Sequence, residues 1–507
     1  MKAVKGKYYF GGIHPRGMKE ISASAALDVL PEPEEVAIST LQSAGRPAKV
    51  AVSVGQKVKQ GQLIASSDGK ISSNVFASIS GTVKEIKSIE GEEHIVISSD
   101  STNSTDFLPP LENPDADAIK KRIEDCGIVG LGGAGFPTAV KVAPEKPVDT
   151  LIINGAECEP YLTCDYRLMI EKTEEIAKGA RYLATALGVK KIIIGIEANK
   201  PDAISAFEAF DDIQPVILKK QYPMGGEKQI IYVTTGRKVG LKKLPADVGV
   251  IVQNVGTCFA VYEAVEKGKP LFERVITVSG KAVKEPKNLW VKVGTPVKNI
   301  VEYCGGESEN PKKVVLGGPM TGNAVASYEV YTHKTTSGVL IMSEKEAAAY
   351  EPTPCVNCGK CADVCPMHLM PMNTAFYSAA GDYESAEKYG NATACIECGA
   401  CEYICPAKRP LIQAIRKTKS ALKNNVQNKD VVHDVAGKPI EEIDGKPIEE
   451  AAPPDLKEAA NRPEEVNAHV EAPVTEEKTV ENNEVQSAEP AKAKTKAKKV
   501  KKEENNG

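Results

Sequence analysis

Eight of the thirteen cysteines fall into two near-copies of one pattern, C-x2-C-x2-C-x3-C-P. "CVNCGKCADVCP" begins at Cys355 and "CIECGACEYICP" begins at Cys395, so the copies are offset by 395 − 355 = 40 residues. Three thiolates spaced in this way can wrap three corners of a [4Fe-4S] cubane from one loop, and the fourth thiolate must come from elsewhere. Gly359 and Gly399 are expected where each loop approaches its cluster.

The spacing also predicts which cysteines share a cluster. In two-cluster ferredoxins the fourth cysteine of each run ligates the other cluster. We therefore expect one cluster on Cys355, Cys358, Cys361 and Cys405, and a second on Cys395, Cys398, Cys401 and Cys365. Structural zinc sites and disulfides are the alternatives, but zinc sites usually pair C-x2-C units at a distance, without a third cysteine in the loop. Two adjacent clusters would form an electron wire.

A glycine-rich stretch, "GIVGLGGAGFPTAVK", covers residues 127–141. Its glycines at 130, 132, 133 and 135 leave backbone N–H groups free to approach a phosphate, and Lys141 supplies charge. A flexible turn would have the same composition. The stretch is also neither a G-x-G-x-x-G placed after a strand nor a P-loop.

An acidic segment, "INGAECEPYLTCDYRLM", follows an apolar run that is typical of a strand. It carries Asn154, Glu157, Glu159 and Asp165. Carboxylates gathered at one strand end repel one another, and a purely structural loop gains little from them. They suit hydrogen bonds to ribityl hydroxyls, flavin ring N–H groups or a nicotinamide amide, at the carboxyl edge where α/β sheets bind ligands.

The elements that must position these residues are indicated by short apolar runs. "TLIINGAE", "KKIIIGIEA", "QPVILKKQ" and "VGVIVQNVG" are separated by helical patterns, which predicts a parallel, Rossmann-like α/β sheet. Residues 48–89 alternate short strands with glycines and resemble the barrel-sandwich hybrid of lipoyl and biotinyl carriers. Lys70 falls near the carrier-lysine position, but its sequence context does not match and we do not expect modification there.

Composition excludes several classes of protein. With 507 residues the chain can hold three or four domains, and 42% hydrophobic and 26% charged residues are ordinary for a globular protein. A net charge of −4 does not indicate a protein that binds nucleic acid. We expect no membrane span and no signal peptide, because no long apolar run occurs. Unpaired thiolates and clusters indicate a reducing compartment.

Several motifs together carry a family resemblance. G-G-A-G-F-P-T, N-G-A-E-x-E-P, "YPMGGEKQ" and "VQNVGT" occur in the order found in the NADH-binding flavoprotein subunit of respiratory complex I. With "GGIHP" near the N-terminus and the double cysteine pattern, the chain resembles the C-subunit family of the Rnf electron-transport complex, a ferredoxin:NAD oxidoreductase. The resemblance covers most of the chain to about Ser420.

This resemblance implies FMN and NAD(H) in one pocket. Glu157 and Glu227 are the implied catalytic residues. The implied cofactor contacts are Gly130, Gly132, Gly133, Ala134, Gly135, Phe136, Lys141, Asn154, Glu157, Tyr222, Gly225, Gly226, Gln253, Asn254 and Thr257. The chain departs from the complex I pattern at Leu131, which replaces an arginine, at Ala139, which replaces a glycine, and at Gly226 and Gly256, which replace glutamates.

The resemblance further implies a subunit of an ion-translocating oxidoreductase. Electrons from reduced ferredoxin would reach NAD+ through the clusters and FMN, and membrane subunits would couple this flow to Na+ or H+ transport. Expected partners are the other Rnf subunits, including the iron–sulfur B subunit and the integral-membrane subunits, and ferredoxin indirectly. The chain would then be peripheral, on the cytoplasmic side of the cell membrane.

Two alternative functions stay open at the level of sequence. One is a soluble NADH-dependent iron–sulfur flavoprotein that feeds another reductase. The other is an electron-transfer subunit that has lost its nucleotide site.

The fold class expected is multidomain, α/β and α+β. Five regions follow: an N-terminal region at 1–110 with the barrel-sandwich hybrid at about 45–100, an FMN/NADH-binding α/β domain at 111–270, a β-grasp, SLBB-type module at 271–345, a helical two-cluster domain at 346–420, and a charged tail at 421–507. The tail is predicted to be disordered, because it has too few large apolar residues to offset chain entropy. Its lysines could contact anionic lipid or an acidic partner, or could simply solubilise the chain.

Overall fold

The structure is a computed structural model that describes residues 1–308, 310–347 and 350–429, together with 442–443 and 446–447. The amino-terminal arm, residues 1–30, contributes two short strands to two different sheets. β1 (Val4–Lys5) pairs in parallel at the edge of the central sheet, and β2 (Leu27–Val29) pairs in the β-grasp sheet. A short 3-10 helix, Lys19–Ile21, lies between them. The strands of the arm therefore pair outside the two barrel-sandwich sheets.

Seven strands form two small antiparallel sheets that share one core. They are β3 (Glu35–Ser39), β4 (Lys49–Val50), β5 (Lys57–Val58), β6 (Leu63–Ser66), β7 (Val75–Phe76), β8 (Gly81–Ile89) and β9 (Glu92–Ser99). The sheet orders are β3-β9-β8-β5 and β4-β6-β7. Ile38 and Ile95 of one sheet pack with Ile64 of the other, which confirms the barrel-sandwich prediction. Lys70 lies on the exposed turn after β6, 3.4 Å from Glu145.

The central domain is a parallel sheet covered by helices. Its helices are α1 (Ala116–Asp125), α2 (Thr138–Lys141), α3 (Cys164–Glu171), α4 (Thr173–Leu187), α5 (Pro201–Phe207), α6 (Glu227–Thr235) and α7 (Val255–Lys267). Its own strands are β10 (Thr150–Gly155), β11 (Lys191–Glu197), β12 (Ile213–Leu218) and β13 (Val250–Asn254). The order is β1-β12-β11-β10-β13, with all pairs parallel.

The four predicted apolar runs are β10, β11, β12 and β13, four of the five strands of this sheet. They are almost fully buried, because helices cover both faces of a parallel sheet. A 3-10 helix, Pro245–Val248, leads into β13. All carboxyl ends meet at one edge, so the segments after β10, β12 and β13 lie side by side there.

A second, mixed sheet of six strands follows. Its elements are β14 (Glu273–Ser279), β15 (Lys287–Lys292), α8 (Val297–Tyr303), β16 (Pro311–Leu316), β17 (Asn323–Val325) and β18 (Gly338–Ser343). The order is β17-β16-β18-β14-β15-β2. α8 packs Val297, Ile300 and Val301 into the core of this sheet. This is the predicted β-grasp, SLBB-type module.

The two cysteine patterns occupy a helical region. Its elements are α9 (Lys360–Asp363), α10 (Pro371–Ala379), α11 (Tyr383–Gly390), the 3-10 helix Ala392–Ala394, α12 (Ala400–Ile404) and α13 (Leu411–Lys429). The copies share their backbone as well as their spacing, since left-handed residues recur 40 positions apart. These are Asn357 and Glu397, Gly359 and Gly399, and His368 and Lys408. The left-handed backbone at positions 359 and 399, with φ of 73° and 76°, is the reason for glycine there.

The last helix of the cysteine region, α13, continues to Lys429, past the expected domain boundary at about residue 420. A separate unit begins at Asp430. Within it the structure describes only β19 (Glu442–Ile443) and β20 (Lys446–Pro447), an antiparallel pair. The remainder of the predicted disordered tail lies outside the described residues. In the part of the chain that the structure describes, no helix has the length and apolar character needed to cross a membrane.

Packing of α4 against α7 depends on one glycine. A Cβ added at Gly179 would overlap the carbonyl group of Cys258. Gly179→Ala should therefore lower the free energy of unfolding by about 1–3 kcal/mol, the usual cost of overpacking, although alanine normally favours a helix. Thr185→Ala, on the exposed face of the same helix, should change it by less than about 0.5 kcal/mol. Thermal or chemical denaturation measures both, and equal stability of the two variants would contradict this packing.

Candidate functional site

Four cysteines from both sequence copies line one cavity. They are Cys365, Cys395, Cys398 and Cys401, and the cavity holds about 400 Å³ of empty space, part of it open to solvent. The rest of the lining is largely apolar and includes Met367, Leu369, Ile412 and Ile415. These cysteines are the set that the spacing predicts for the second cluster.

The electrostatics of this cavity suit a metal cluster. Burial, with smaller contributions from the neighbouring Cys395 and Cys365, raises the pKa of Cys398 to about 12. Thiols that oppose one another's ionisation gain little as a structural group, whereas iron stabilises the thiolate form. Backbone N–H groups already point at sulfur: Leu369 donates to Cys365 Sγ at 3.4 Å, and Glu397 donates to Cys395 Sγ at 3.3 Å. Such bonds are typical of iron–sulfur sites.

The other four cysteines are more open to solvent. Cys355 and Cys358 are exposed, whereas Cys361 and Cys405 are half-buried. Burial raises the pKa of Cys361, with a small contribution in the same direction from Cys355. The cavity of the second set therefore lies deeper in the molecule than the first set.

The glycine-rich loop lies at the carboxyl edge of the central sheet. The Gly130 N–H donates to the Phe136 carbonyl at 2.9 Å and closes the loop, and the Leu131 N–H donates to Thr257 Oγ1 at 3.0 Å. Gly132, Gly133 and Ala134 form its exposed tip. A Cβ added at Gly133 would meet no atom within 4 Å, so the tip presents its backbone to open space.

Other predicted contacts are engaged within the protein. Thr257 is buried and holds the loop through Leu131, and Gly132 packs against the Asn254 side chain. Gly135 has a left-handed φ of 66°, and its Cβ would lie 2.6 Å from Thr335 Cγ2. Phe136 is half-buried.

The segment after β10 contacts the segment after β12. Asn154 Nδ2 donates to the Gly225 carbonyl at 2.9 Å, and the Gly225 N–H donates to Cys158 Sγ at 3.3 Å. Burial raises the pKa of Cys158 to about 12, and Glu197 adds to this. Gly226 follows at the N-terminus of α6. The two sequence-predicted segments therefore form one wall.

Lys141 and Glu227, two residues that the family resemblance implies, contact each other and form a second wall of the site. Lys141 Nζ donates to Glu227 Oε1 at 2.8 Å and to the Val252 carbonyl at 2.8 Å. Gln253 is buried, and its Nε2 has no hydrogen-bond partner among the described residues. A free amide donor next to a lysine–glutamate pair suits a polar ligand.

Glu157 has a left-handed backbone, with φ of 45°, and a side chain that is only 3% exposed. Its Oε1 accepts the Asp165 N–H at 2.8 Å at the start of α3. Its Oε2 lies 3.6 Å from Lys19 Nζ and, in the described part of the chain, accepts no hydrogen bond. One oxygen thus holds the start of α3, and the other has only the ion pair with Lys19.

Tyr222 connects the pocket to the cysteine-lined cavity. Its hydroxyl donates to the Cys398 carbonyl at 2.7 Å and lies 3.5 Å from Glu159 Oε1. Burial, with a contribution from Glu159, raises the pKa of Tyr222 well above the usual range. Glu159 in turn accepts hydrogen bonds from Thr321 Oγ1 at 2.5 Å and the Met320 N–H at 3.1 Å. No local pattern predicts the bond from Tyr222 to Cys398, because it joins residues 398 − 222 = 176 positions apart.

The amino-terminal arm is the other functional segment that the residue patterns did not reveal. The Gly12 N–H donates to the Val364 carbonyl at 2.8 Å, and Ile13 pairs with Tyr222. Gly11 and Gly12 both have left-handed φ, at 94° and 77°. The "GGIHP" motif therefore holds the cysteine region against the Tyr222 segment.

The donor set fits a flavin mononucleotide. A flavin presents a ring N–H, carbonyl oxygens, hydroxyls and a phosphate. The segments at the carboxyl edge offer two buried polar atoms without a hydrogen-bond partner among the described residues, the acceptor Glu157 Oε2 and the donor Gln253 Nε2, and exposed backbone at residues 132–134.

Models of protein families match four consecutive parts of the chain. They are the RnfC barrel sandwich hybrid domain at residues 7–102, the Nuo51 FMN-binding domain at 123–263, the SLBB domain at 275–324 and the 4Fe-4S dicluster domain at 354–409. The matches follow the order of the observed domains.

Relatives with described functions match most of the chain. The C subunit of the proton-translocating ferredoxin:NAD(+) oxidoreductase complex of Clostridium ljungdahlii is 44% identical, over 82% of this chain and 94% of that protein. The Na(+)-translocating counterpart of Acetobacterium woodii is 43% identical, over 82% and 97%. A crystal structure of NAD+-reducing [NiFe]-hydrogenase is 18% identical over 63% of this chain and 72% of that chain, with a TM-score of 0.43, too low to bear on the site.

The cysteine assignment predicts a specific loss of iron. The wild type should hold about eight irons per chain, as two [4Fe-4S] clusters require. Cys395→Ser should remove about four of them, because it takes one ligand from the deeper cavity. Cys304→Ala, a buried cysteine outside both patterns, should keep all of them. Iron and sulfide content with low-temperature EPR measures this, and an unchanged Cys395→Ser spectrum would exclude Cys395 as a ligand.

Asp165 should make stability depend on pH. Its Oδ2 accepts from Asn254 Nδ2 at 2.7 Å, and burial, with help from Glu157, raises its pKa to about 6. A carboxyl whose pKa is higher when folded costs stability once ionised, so its contribution falls as pH rises from about 4 to 6. Asp165→Asn keeps an acceptor for Asn254 and should raise the free energy of unfolding at pH 7.5 by about 1–2 kcal/mol.

Denaturation at pH 5.5 and 7.5 tests this. The gain from Asp165→Asn should be smaller at pH 5.5, where the wild-type carboxyl is largely protonated. A gain that is equal at both values, or a loss at pH 7.5, would show that ionised Asp165 is not costly.

Proposed function

This chain belongs to the family of C subunits of Rnf-type, ion-translocating ferredoxin:NAD oxidoreductase complexes, and from that premise we propose that its pocket and cysteine cavity form one electron path. The protein is an electron-transferring oxidoreductase subunit. Its cofactors are FMN and two [4Fe-4S] clusters, and it reacts with NAD(H).

The observation that carries the proposal is the 2.7 Å hydrogen bond from Tyr222 to the Cys398 carbonyl. Tyr222 belongs to the wall that includes Asn154 and Gly225, and Cys398 lines the deeper cavity. A single residue therefore spans the distance between the nucleotide pocket and the second cluster site. The more exposed first set lies farther out and is suited to exchange electrons with a partner.

When bound, FMN supplies the change from a two-electron hydride to single electrons, which a cubane cluster accepts one at a time. The residues of the chain perform the remaining tasks. The backbone of Gly132–Ala134 would contact phosphate or ring atoms, and Lys141 with Glu227 would set the local charge. Glu157 Oε2 and Gln253 Nε2 would orient polar atoms of the ligand. Hydride transfer needs no acid or base, so we assign Glu157 and Glu227 to positioning.

As a member of this family the chain is a subunit of a multi-subunit, membrane-associated complex. We further propose that it is peripheral on the cytoplasmic side of the cell membrane. Integral-membrane subunits would then couple electron flow to ion transport. The two relatives differ in the ion that their names carry, a proton in one and Na+ in the other.

Its electron partners follow from the same proposal. The iron–sulfur B subunit would exchange electrons with the exposed first cluster, and ferredoxin would act through that protein. A soluble flavoprotein feeding another reductase would need no such membrane partner, and co-purification with membranes separates the two possibilities.

Substitutions at two glycines of one loop, Gly133 and Gly135, distinguish an effect on ligand binding from an effect on folding. Gly133→Val places a side chain in open space where the ligand would lie, so the protein should fold and keep its clusters. Its reduction by NADH should fall by at least about 100-fold, because a misplaced contact of roughly 1 Å has effects of that size. Anaerobic bleaching of the visible absorbance by NADH, compared with bleaching by dithionite, measures this.

Gly135→Val is the matched control. Its left-handed φ and its contact with Thr335 should lower stability, and both reductants should be affected together. A Gly133→Val protein that binds FMN and is reduced by NADH at the wild-type rate would place the nucleotide pocket elsewhere. Absence of FMN from the wild type would favour a subunit without a nucleotide site.

A further inference from the structure

Three potential metal ligands meet where the barrel-sandwich domain contacts the β-grasp module. Glu92 and His94 lie two residues apart on β9, so both side chains point to one face of the strand. His333 comes from the segment between β17 and β18. One ligand atom from each residue lies within 4.8 Å of the other two. The candidate flavin and cluster contacts include none of these residues.

The hydrogen bonds around the group resemble those that orient metal ligands. His94 Nδ1 lies 3.0 Å from the Glu92 carbonyl oxygen. A carbonyl only accepts, so Nδ1 carries the proton and Nε2 keeps a free lone pair. Glu92 Oε2 accepts from Ser39 Oγ at 2.6 Å, which fixes the carboxylate. His94 is 4% exposed, whereas Glu92 and His333 are half-buried and can still adjust.

Charge at the group favours a cation. Lys87 lies opposite His94 on β8, but its ammonium is 2.6 Å from Glu85, and Lys84 is likewise paired with Glu35. The Glu92 carboxylate contributes the negative charge, with one oxygen within 4.8 Å of a ring nitrogen of each histidine.

We propose that Glu92, His94 and His333 bind one divalent transition-metal ion, zinc in the first place. Two imidazoles with one carboxylate suit zinc, whereas Ca²⁺ and Mg²⁺ prefer oxygen ligands throughout. Zinc bond lengths of about 2.0–2.1 Å put ligand atoms about 3.3 Å apart, so small side-chain rotations would close the site. Water would take the fourth position on the half-buried side. The ion would tie the β8–β9 hairpin to the β-grasp module.

Cobalt binding to the full-length protein with both iron–sulfur clusters in place tests the site. In the difference spectrum against the same protein without cobalt, the wild type should show one Co²⁺ per chain, with visible d–d absorption of a four-coordinate ion and no new near-ultraviolet thiolate band. Zinc should compete for it. His333→Gln and Glu92→Gln should each weaken binding at least about 10-fold, and iron content should stay unchanged.

Matched variants distinguish loss of metal binding from loss of folding. His14→Gln removes an exposed histidine outside the group and should bind cobalt as the wild type does. His94→Gln changes a buried residue and could fail to fold, so Glu92→Gln, which is half-buried, tests the site independently. Zinc should also raise the melting temperature of the wild type and not that of Glu92→Gln.

Three outcomes would overturn the proposal. One is the lack of stoichiometric cobalt or zinc binding by the wild type. Another is a thiolate charge-transfer band, which would place the ion on cysteines. The third is equal affinity in Glu92→Gln, His333→Gln and the wild type.

Discussion

Function in this molecule depends on how the two cysteine loops are held against the carboxyl edge of the parallel sheet. Three hydrogen bonds from three parts of the chain end on backbone carbonyls of the cysteine region. Tyr222 Oη donates to Cys398, the Gly12 N–H donates to Val364, and Gln229 Nε2 donates to Pro366 at 2.7, 2.8 and 3.1 Å. Because electron transfer slows steeply with distance, the separation of pocket and cluster has to be fixed. Backbone acceptors fix it without using the thiols themselves.

Buried charge shapes the same edge. Lys200 and Glu197, 2% and 3% exposed at their side chains, lie 3.7 Å apart, and Lys200 Nζ also donates to the Ala156 carbonyl at 2.7 Å. Burial raises the pKa of Glu197 and lowers that of Lys200. Such pairs contribute little net stability, since desolvation offsets their attraction. Their effect here is geometric, because Lys200 fixes the backbone that leads from β10 into the Glu157 segment.

Local sequence patterns predicted much of this fold. Buried apolar runs identified four of the five strands of the central sheet, and cysteine spacing predicted that Cys365 joins the second set, the set that lines the deeper cavity. Patterns could not place the amino-terminal arm, whose strands pair more than 200 residues away, or show that Thr257 holds the glycine loop. Local patterns also could not show that His333 lies near His94. Each of these contacts joins distant segments whose residues are ordinary in their local context.

The amino-terminal arm also sets the order in which the molecule can be completed during synthesis. The hydrogen bond from Gly12 cannot form until Val364 has been synthesised, 364 − 12 = 352 residues later in the chain. At about 5–20 residues per second the ribosome needs roughly 20–70 s to cover that interval. The arm and the cysteine region can therefore come together only after the central sheet and the β-grasp module have been made.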